Sequence, residues 1–208
     1  MSVNNQVIKL AIPKGKLFNP VVNLLHSAGV NFIHLPKKYS EVVSHNGFSY
    51  LIRILKNRDI AEHVARGKFD LGFTSLDWIK ESRQTVRQVV DLKTAKVNIV
   101  AAISDQTDWT ELKFKKLTCA TEYPNLAHAF LTKENCLFSL LKTHGASEGF
   151  VPYEADMVID IIDKGECLKI QKLRKIKTLF SSTLRLIANP QFYNKNKTFI
   201  KFIQNKYA

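Results

Sequence analysis

The sequence lacks three features that would each indicate a particular class of protein. It has no run of about 18 consecutive apolar residues, so we expect no transmembrane helix. Its N-terminus has no basic stretch followed by an apolar core, so we expect no signal peptide. Its three cysteines, Cys119, Cys136 and Cys167, are odd in number and far apart, which fits no disulfide framework or zinc motif. These absences favour a cytoplasmic protein with buried, reduced thiols.

Positive charge, by contrast, is abundant. The 208 residues include 31 Lys and Arg against 18 Asp and Glu, which gives a formal net charge of +13. Such an excess can indicate a nucleic-acid-binding surface. The densest basic segments, 169–177 and 195–206, contain neither an aromatic-interleaved RNA motif nor a zinc-finger pattern. A solvated lysine-rich surface is the simpler explanation, and small anionic substrates would also profit from this charge.

The most informative stretch covers residues 155–169. Its apolar, β-branched run, Met157–Ile162, predicts a buried strand. Three aspartates precede, interrupt and follow this run, at Asp156, Asp160 and Asp163. The turn after the strand contains Gly165, which is free to adopt positive φ, and a short helix can begin at Cys167. Such a junction can present backbone amides to a phosphate, although most strand-turn-helix junctions in α/β proteins bind nothing.

A second candidate site follows the first predicted strand, at residues 7–12. The turn after it carries Lys14 and Lys16, and the next helix is predicted to be capped by Asn19 and ended by Gly29. The two lysines therefore stand at the carboxyl end of a strand in a β-α unit. Because α/β sheets bind ligands at that end, we expect Lys14 and Lys16 to face an anionic ligand.

Strands and helices alternate along the chain, and their order starts again after the first half. We predict strands at 49–55, 70–74, 86–92 and 97–104, followed by strands at 117–121, 136–142 and 157–162, with helices between several of them. Segment 32–44 has no clear period and predicts an irregular connection, whereas 175–188 predicts one long extended segment and 194–207 a final helix. The pattern predicts an α/β fold with two lobes, one formed by residues 1–95 and 180–208 and the other by 96–179.

Taken in order, these residues resemble the ATP phosphoribosyltransferase family, in its short form, over nearly the whole chain. The matching blocks are 10–17, 59–60, 67, 70–72, 91–92, 107–109, 120–125, 145–148, 155–160 and 185–190. Among them are Leu-Ala-Ile-Pro-Lys-Gly-Lys-Leu, Asp-Leu-Gly and Ala-Thr-Glu-Tyr-Pro-Asn. No single block is specific, but their order and spacing together are.

The resemblance implies a fold and a reaction. The family has two α/β lobes like a type II periplasmic binding protein, with the active site in the cleft between the lobes. It catalyses the first step of histidine biosynthesis, in which adenine N1 of ATP attacks the anomeric carbon of 5-phosphoribosyl pyrophosphate (PRPP) and pyrophosphate leaves. The first lobe would take ATP and the second PRPP. Mg²⁺ would arrive with these substrates, so we expect no fixed metal site in the protein.

The resemblance also implies a partner. Short-form members work with a separate subunit similar to histidyl-tRNA synthetase. The chain ends where the short form ends, so we expect such a subunit and a homo- or hetero-oligomer, and we expect neither a membrane nor a nucleic acid as a partner.

By match to the family, three lysines would contact the anionic groups of the substrates. Adenine N1 needs no deprotonation, so the reaction requires alignment of two anionic substrates and stabilisation of the departing pyrophosphate more than it requires a base. Lys14 and Lys16 match residues that face the nucleotide or pyrophosphate, and Lys56 belongs to the same basic set. Lysine replaces the family's usual arginine at Lys16, which removes a planar bidentate fork.

Acidic residues would support the oxocarbenium-like sugar. Asp156 and Asp160 match the family's Asp-x-x-x-Asp, and we assign both, with Lys14 and Lys16, to catalysis. Four residues apart in an ideal strand, the two aspartates share a side, although a bulge could separate them, so that only one of them need face the cleft. Glu148 matches an acidic residue at the cleft, but capping its own helix explains it equally well.

The predicted phosphate loop is where the sequence departs most from the family. The family usually has Thr-Gly-x-Thr, whereas this chain has Lys164-Gly165-Glu166-Cys167. Two hydroxyl donors are absent, and Glu166 adds a negative charge that Lys164 compensates. We still assign the loop residues Asp163, Lys164, Gly165, Glu166 and Cys167 to substrate binding, together with Lys56 and Glu148 outside the loop.

Smaller departures, such as Ser75 for a family glycine and Glu122 for a usual lysine, leave a second hypothesis open. The chain could be a catalytically weak paralogue that serves as a phosphoribosyl-binding, nucleotide-binding or regulatory module. A nucleic-acid-binding protein, suggested by the net charge alone, is the least favoured hypothesis.

Overall fold

The computed structural model describes residues 7–32, 39–45, 47–162 and 166–207. The chain forms two compact units, which we call unit 1 (Met1–Ala95 with Thr183–Ala208) and unit 2 (Lys96–Ser182). The first boundary, between residues 95 and 96, is the one predicted from the sequence. The second lies between residues 182 and 183, whereas the prediction placed it between 179 and 180. Among the described residues, no helix has both the length and the apolar character needed to cross a membrane.

Strands and helices alternate through most of the described chain. The strands are β1 (Val7–Pro13), β2 (Ser40–His45), β3 (Phe48–Leu55), β4 (Leu71–Ser75), β5 (Arg87–Asp91), β6 (Val97–Ser104), β7 (Lys116–Thr121), β8 (Leu137–Lys142), β9 (Met157–Ile162), β10 (Leu173–Ser182) and β11 (Leu184–Ala188). The helices are α1 (Phe18–Ser27), α2 (Asn57–Ala65), α3 (Leu76–Ser82), α4 (Trp109–Leu112), α5 (Pro124–Lys133), α6 (Glu166–Ile170), α7 (Pro190–Lys195) and α8 (Lys197–Tyr207). Short 3₁₀ turns lie at Gly15–Leu17 and Ser147–Phe150.

Unit 1 is built on a six-stranded sheet in the order β2-β3-β1-β4-β11-β5. Its central strands β3, β1 and β4 run parallel, while β2 and β11 are antiparallel to their neighbours. Successive residues of β1 serve opposite faces: Leu10 packs in the cluster with α1 and α8, and Ala11 packs in the cluster with α2. At Gly72 on β4, a Cβ would lie only 2.7 Å from Ile60 Cγ2, so glycine permits the close approach of α2.

Unit 2 is built on a five-stranded sheet in the order β10-β6-β9-β7-β8. Strands β9, β7 and β8 are parallel, and β6 runs antiparallel to both of its neighbours. The central strands β6 and β9 are buried and apolar, as expected for strands covered on both faces. Val158 of β9 packs against Phe150 and Val151, at the end of the second 3₁₀ turn, and against Leu168 of α6.

Several elements differ from their predictions for identifiable reasons. Strand β2 lies within the segment predicted to be irregular; as a half-exposed edge strand it has little apolar alternation to reveal it. The predicted extended segment 175–188 is two strands, β10 and β11, which belong to different units. The predicted final helix is divided into α7 and α8.

The predicted helix caps at Asn19 and Asp59 are wrong. A 3₁₀ turn leads directly into α1, so its N-cap is Leu17, and α2 begins early enough that Asp59 lies in its first turn.

The thiols that the structure describes are reduced, as predicted. Cys119 is fully buried, and burial raises the pKa of its thiol to about 12, which makes it unreactive. Cys136 is only half-buried, because it lies just before the exposed edge strand β8.

Candidate active site

Two lysines stand side by side at the carboxyl edge of the sheet of unit 1. Strands β1 and β3 are parallel, with Pro13 opposite Leu55, so Lys14 and Lys56 leave the sheet at the same level. The Lys14 amide donates to the Leu55 carbonyl over 2.8 Å, which continues the ladder to this point. Neighbouring strands lie about 4.8 Å apart, and both lysine side chains are exposed. The sheet register therefore places side by side the two lysine residues assigned to one basic set from the sequence.

Lys16 lies beside this pair, in the 3₁₀ turn between β1 and α1. Gly15 holds the preceding backbone at φ +83°, a conformation that favours glycine. Lys16 is also exposed. All three predicted lysines of unit 1 thus lie at one edge of its sheet, on two neighbouring turns.

Asn57, which follows Lys56 at the start of α2, forms side-chain hydrogen bonds to the end of the third parallel strand, β4. Its Oδ1 accepts a hydrogen bond from Thr74 Oγ1 over 2.8 Å, and its Nδ2 donates to Ser75 Oγ over 2.8 Å. Thr74 and Ser75 are both buried. The Ser75 hydroxyl, a departure from the family pattern, therefore has a structural partner here, which sequence reasoning did not identify.

An ion pair at the same edge joins β11 to β5. Arg185 lies opposite Thr74 in the sheet, and its Nη2 is 3.0 Å from Asp91 Oδ2. Asp91 Oδ1 also accepts hydrogen bonds from Thr183 Oγ1 at 2.7 Å and from the Lys93 amide at 3.0 Å. Partial burial acts to raise the pKa of Asp91, but these hydrogen bonds and the charge of Arg185 hold it below its usual range. Asp91 consequently neutralises much of the positive charge of Arg185.

In unit 2, three parallel strands end at one edge, where hydrogen bonds join their loops. Thr121 Oγ1 donates to the Ile159 carbonyl over 2.6 Å and accepts from the Tyr123 amide at 2.8 Å. The Thr143 amide donates to the Thr121 carbonyl over 3.0 Å, which ties the end of β8 to the end of β7. Thr121 and Thr143 are both buried, so these loops have a defined geometry.

Asp160 is the acidic group that this edge brings into a polar network. It lies on the same face of β9 as Val158, facing the 3₁₀ turn that contains Ser147. Its carboxylate accepts hydrogen bonds from the Ser147 hydroxyl and from the Ile161 amide, the latter at 2.7 Å. Ser147 is fully buried and also lies 2.7 Å, Oγ to Oγ, from buried Thr143. Sequence reasoning identified Asp160 but missed Thr143 and Ser147.

The environment of Asp160 raises its pKa to about 6. Burial is the largest cause, and the negative charges of Glu122 and Glu148 add to it, while the hydrogen bonds from Ser147 and Ile161 act in the opposite direction. Three acidic side chains, each from a different loop or strand, therefore influence one another electrostatically at this edge. A carboxyl group with a pKa this close to neutrality, in a polar and partly buried site, is typical of functional sites.

Glu148 is one of these three groups, and its alternative role from the sequence was to cap its own helix. The 3₁₀ turn Ser147–Phe150 has Ala146 as its N-cap, with φ +51°, and no side-chain hydrogen bond caps it. Glu148 is half-buried. Its capping role is therefore not observed, whereas its charge acts on Asp160.

Asp156 lies elsewhere. Its carboxylate Oδ2 accepts from the Thr118 amide over 2.7 Å, and its own amide donates to the Thr118 carbonyl over 2.9 Å. It thus joins the amino-terminal start of β9 to β7. Four residues of strand separate it from Asp160 by about 13 Å. The structure does not bring the two aspartates together, and strand pairing accounts for the contacts of Asp156, so its catalytic role stays a prediction.

The predicted phosphate loop can be placed only in part. Asp163, Lys164 and Gly165 lie outside the described residues. Glu166 and Cys167 begin α6, which is the next described element after β9, and Glu166 is exposed. The assignment of these five residues to substrate binding stays a prediction.

No set of metal ligands is found in the described part of the chain. No group of three or more His, Cys, Asp or Glu side chains there could hold a metal ion. Mg²⁺ usually takes one or two carboxylates and completes its shell with water and substrate phosphates. A Mg²⁺ ion that arrives with the substrates would take its shell from their phosphates and from water.

Comparison with known proteins decides the family. A family model described as HisG: ATP phosphoribosyltransferase matches residues 56–207. The chain belongs to the HisG family. Among its relatives, an ATP phosphoribosyltransferase of Methanosarcina barkeri is 31% identical over 191 residues, which are 89% of this chain and 65% of the relative. One of Chlorobaculum parvum is 29% identical over 195 residues, 91% of this chain and 66% of the relative. The chain thus spans just under two thirds of the length of these relatives.

The solved structures confirm the predicted fold class. The ATP phosphoribosyl transferase (HisG:HisZ) complex from Thermotoga maritima matches with a TM-score of 0.82 at 22% identity, over 95% of this chain and 96% of that chain. The alkanesulfonate-binding protein SsuA from Xanthomonas axonopodis matches with a TM-score of 0.52 at 11% identity, over 94% and 70% of the two chains. The family model thus confirms the family resemblance, and these structures confirm the two α/β lobes like those of binding proteins. A site in a cleft between the lobes stays a prediction.

Proposed function

We propose that this HisG family member is an ATP phosphoribosyltransferase, which joins adenine N1 of ATP to the anomeric carbon of PRPP and releases pyrophosphate. The reaction is the first step of histidine biosynthesis. Family membership supports the reaction. The position of Asp160, in the polar network at the carboxyl edge of unit 2, is the observation on which we assign the reaction to this site. None of the comparisons supports the alternative of a non-catalytic binding module.

The acidic edge of unit 2 suits the sugar. When the bond to pyrophosphate breaks, positive charge develops on the ribose ring, and a nearby carboxylate stabilises that charge. Burial, and to a smaller extent the negative charges of Glu122 and Glu148, disfavour ionisation of Asp160 in the free protein, as its raised pKa indicates. A cationic sugar beside the carboxylate would offset both costs. The site therefore gains interaction energy in the transition state that it does not gain with the neutral ground-state sugar, which is the condition for catalysis.

The lysine edge of unit 1 suits phosphate groups. Lys14 and Lys56 are exposed, extend from adjacent strand ends and have no carboxylate partner among the contacts described above. Ammonium groups bind phosphate oxygens through charge-assisted hydrogen bonds without imposing a fixed geometry. We assign Lys14, Lys16 and Lys56 to the phosphates of ATP or to the departing pyrophosphate. Arg185 is a weaker candidate because Asp91 already neutralises it.

Mg²⁺ is the cofactor that we propose, bound through the phosphates of the substrates. When bound there, it would neutralise charge on pyrophosphate. The predicted loop, residues 163–167, remains our candidate for the 5′-phosphate of PRPP on the strength of the family resemblance; of these residues, Glu166 and Cys167 are described, at the start of α6.

We also propose a cytoplasmic location and a second subunit. The Thermotoga structure is a complex of HisG with HisZ. By analogy, this chain would assemble with a subunit similar to histidyl-tRNA synthetase.

Formation of product tests the proposal directly. Purified protein is mixed with ATP, PRPP and Mg²⁺, with pyrophosphatase to draw the reaction forward, and phosphoribosyl-ATP is followed by absorbance. The assay is run with and without a histidyl-tRNA-synthetase-like subunit from the same genome. We expect turnover in at least one condition. A folded protein that forms no product in either condition, yet binds PRPP by calorimetry, would support the binding-module alternative instead.

A further inference from the structure

A large apolar cavity lies within unit 1, between the sheet and α8. Its volume is about 580 Å³, and side chains from six strands, α1, α7 and α8 line it. All of its lining residues belong to unit 1. None of the residues assigned to the proposed active site lines it, so the cavity is a separate feature.

The cavity exists because α8 covers the sheet without filling the space beneath it. On the sheet side, Leu10, Phe73 and Leu186 line it and are otherwise buried. On the helix side, Phe199 and Ile203 line it but are only half-buried. Protein interiors are densely packed, and voids much larger than a water molecule are rare. A volume of this size is instead within the range of small-molecule sites.

The charged residues around the cavity are all of one sign. Lys195, at the end of α7, and Lys206, near the end of α8, both line it and are both exposed, which places them where it opens to solvent. No Asp or Glu is among the lining residues in the described part of the chain. An apolar interior with cationic groups at its opening is complementary to a molecule with an apolar body and one negative charge.

Two phenols add hydrogen-bonding capacity to this lining. Tyr50 from β3 and Tyr207 from α8 both line the cavity. Burial, and then the proximity of Tyr207, raise the pKa of Tyr50, so its hydroxyl stays protonated and can donate. The Lys206 ammonium lies 5.6 Å from the Tyr207 ring centroid, which places the charge beside the phenol. A carboxylate at this point would meet an ammonium group and hydroxyl donors together.

We propose that this cavity is a binding site for an amphiphilic carboxylate, with its hydrocarbon body between α8 and the sheet and its carboxylate at Lys195 and Lys206. The proposal does not depend on the proposed transferase activity, because it uses none of the same residues.

Decanoate is a suitable probe, with decanol and decyltrimethylammonium as matched neutral and cationic compounds. Calorimetric titration of the full chain is expected to give one saturable decanoate site. Two lysine contacts at a partly exposed site are expected to favour decanoate over the cation by about tenfold. The double variant Lys195→Gln/Lys206→Gln should weaken decanoate binding about fivefold and leave decanol binding unchanged. The matched control Lys197→Gln/Lys201→Gln removes two exposed lysines of α8 that do not line the cavity and should have no effect.

A variant that fills the cavity tests the location. Ile203→Trp should abolish saturable decanoate binding, with circular dichroism and thermal unfolding used to verify the fold. If Ile203→Trp does not fold, Leu24→Phe adds volume from α1 on another wall of the cavity and should weaken binding at least fivefold. The proposal is overturned if decanoate shows no saturable binding, if the lysine control weakens binding as much as the cavity lysines do, or if the filling variant that folds binds decanoate normally.

Discussion

The carboxyl edges of the two sheets carry groups of opposite charge, and the fold positions these groups in different ways. In unit 1, Lys14 and Lys56 are exposed, and the register of two parallel strands alone places them side by side. In unit 2, Asp160 is partly buried, and its ionisation depends on groups from its own strand and from two other segments of the chain, the loop after β7 and the second 3₁₀ turn. On the function proposed above, a cationic edge that binds phosphates needs only accessible charge, whereas an acidic edge that faces a developing sugar cation needs a controlled environment. We therefore expect the two edges to respond differently to mutation.

The largest expected effect is at the acidic edge. Asp160→Asn removes the negative charge that the proposal places beside the sugar, and we expect kcat/KM to fall about 1,000-fold, the loss typical of removing one electrostatic group from a transition state. The decrease should be mainly in kcat. Glu154→Gln, an exposed neutralisation six residues earlier, is the matched control and should change kcat/KM less than twofold. Equal activities of the two variants would remove Asp160 from the mechanism.

The next effect is at the lysine edge. Lys14→Ala/Lys56→Ala removes two charge-assisted contacts of about 1.5 kcal/mol or more each, so kcat/KM should fall about 100-fold, mainly through higher KM values for ATP or PRPP. Because both side chains are exposed, the free energy of unfolding should stay within about 0.5 kcal/mol of the parent value. Lys68→Ala, at another exposed lysine of unit 1, serves as control. Unchanged KM values would mean that the phosphates bind elsewhere.

A substitution at Asp156 should have the opposite effect from one at Asp160: it should lower stability more than it lowers turnover. Asp156→Ala leaves the Thr118 amide without its carboxylate acceptor, and we expect the free energy of unfolding in urea to fall by about 2 kcal/mol. Activity per folded molecule should stay within a few-fold of the parent value. Exposed Asp105→Ala should change the stability little. A stable Asp156 variant that loses activity as completely as Asp160→Asn would restore the prediction that both aspartates are catalytic.

The smallest effects are shifts of the pH profile. The proposed function requires the ionised carboxylate of Asp160, so kcat/KM should rise as the pH passes through about 6 and level off above it. Ser147→Ala removes a hydrogen bond that lowers this pKa and should move the rise to higher pH, whereas Glu122→Gln or Glu148→Gln should move it to lower pH. Ser139→Ala, an exposed serine on β8, should not move it. Identical profiles for all four variants would contradict the network.

The raised pKa of Asp160 also predicts how the stability of the protein depends on pH. The pKa of Asp160 in the folded state lies above its ordinary value of 3.8. The folded state therefore binds more protons than the unfolded state between about pH 4 and 6, and the contribution of this group to stability decreases as the pH rises through that window. Asp160→Asn should abolish this part of the pH dependence, as measured by urea unfolding at several pH values.

More of the lysine edge than of the acidic edge could be predicted from the sequence, for a physical reason. The position of a lysine that follows a buried strand can be predicted from the local sequence pattern, because parallel strands end at a common edge. The Asp-x-x-x-Asp motif gave Asp160, but its separation from Asp156 follows from the pairing of β9 with β7, which depends on residues 38 positions apart. Likewise, Ser147 meets Asp160 only because the 3₁₀ turn packs on β9. The half-exposed strand β2 was missed because its burial is too weak to leave an apolar pattern.

Titration of the Asp160 carboxyl group in the full chain tests the central claim most directly. With ¹³C-labelled aspartate, the side-chain carboxyl resonance that disappears in Asp160→Asn identifies the group, and its chemical shift is followed with pH. We predict a midpoint at about pH 6 that moves up in Ser147→Ala and down in Glu122→Gln. A midpoint near the ordinary value of 3.8, unaffected by either substitution, would contradict the account of the acidic edge.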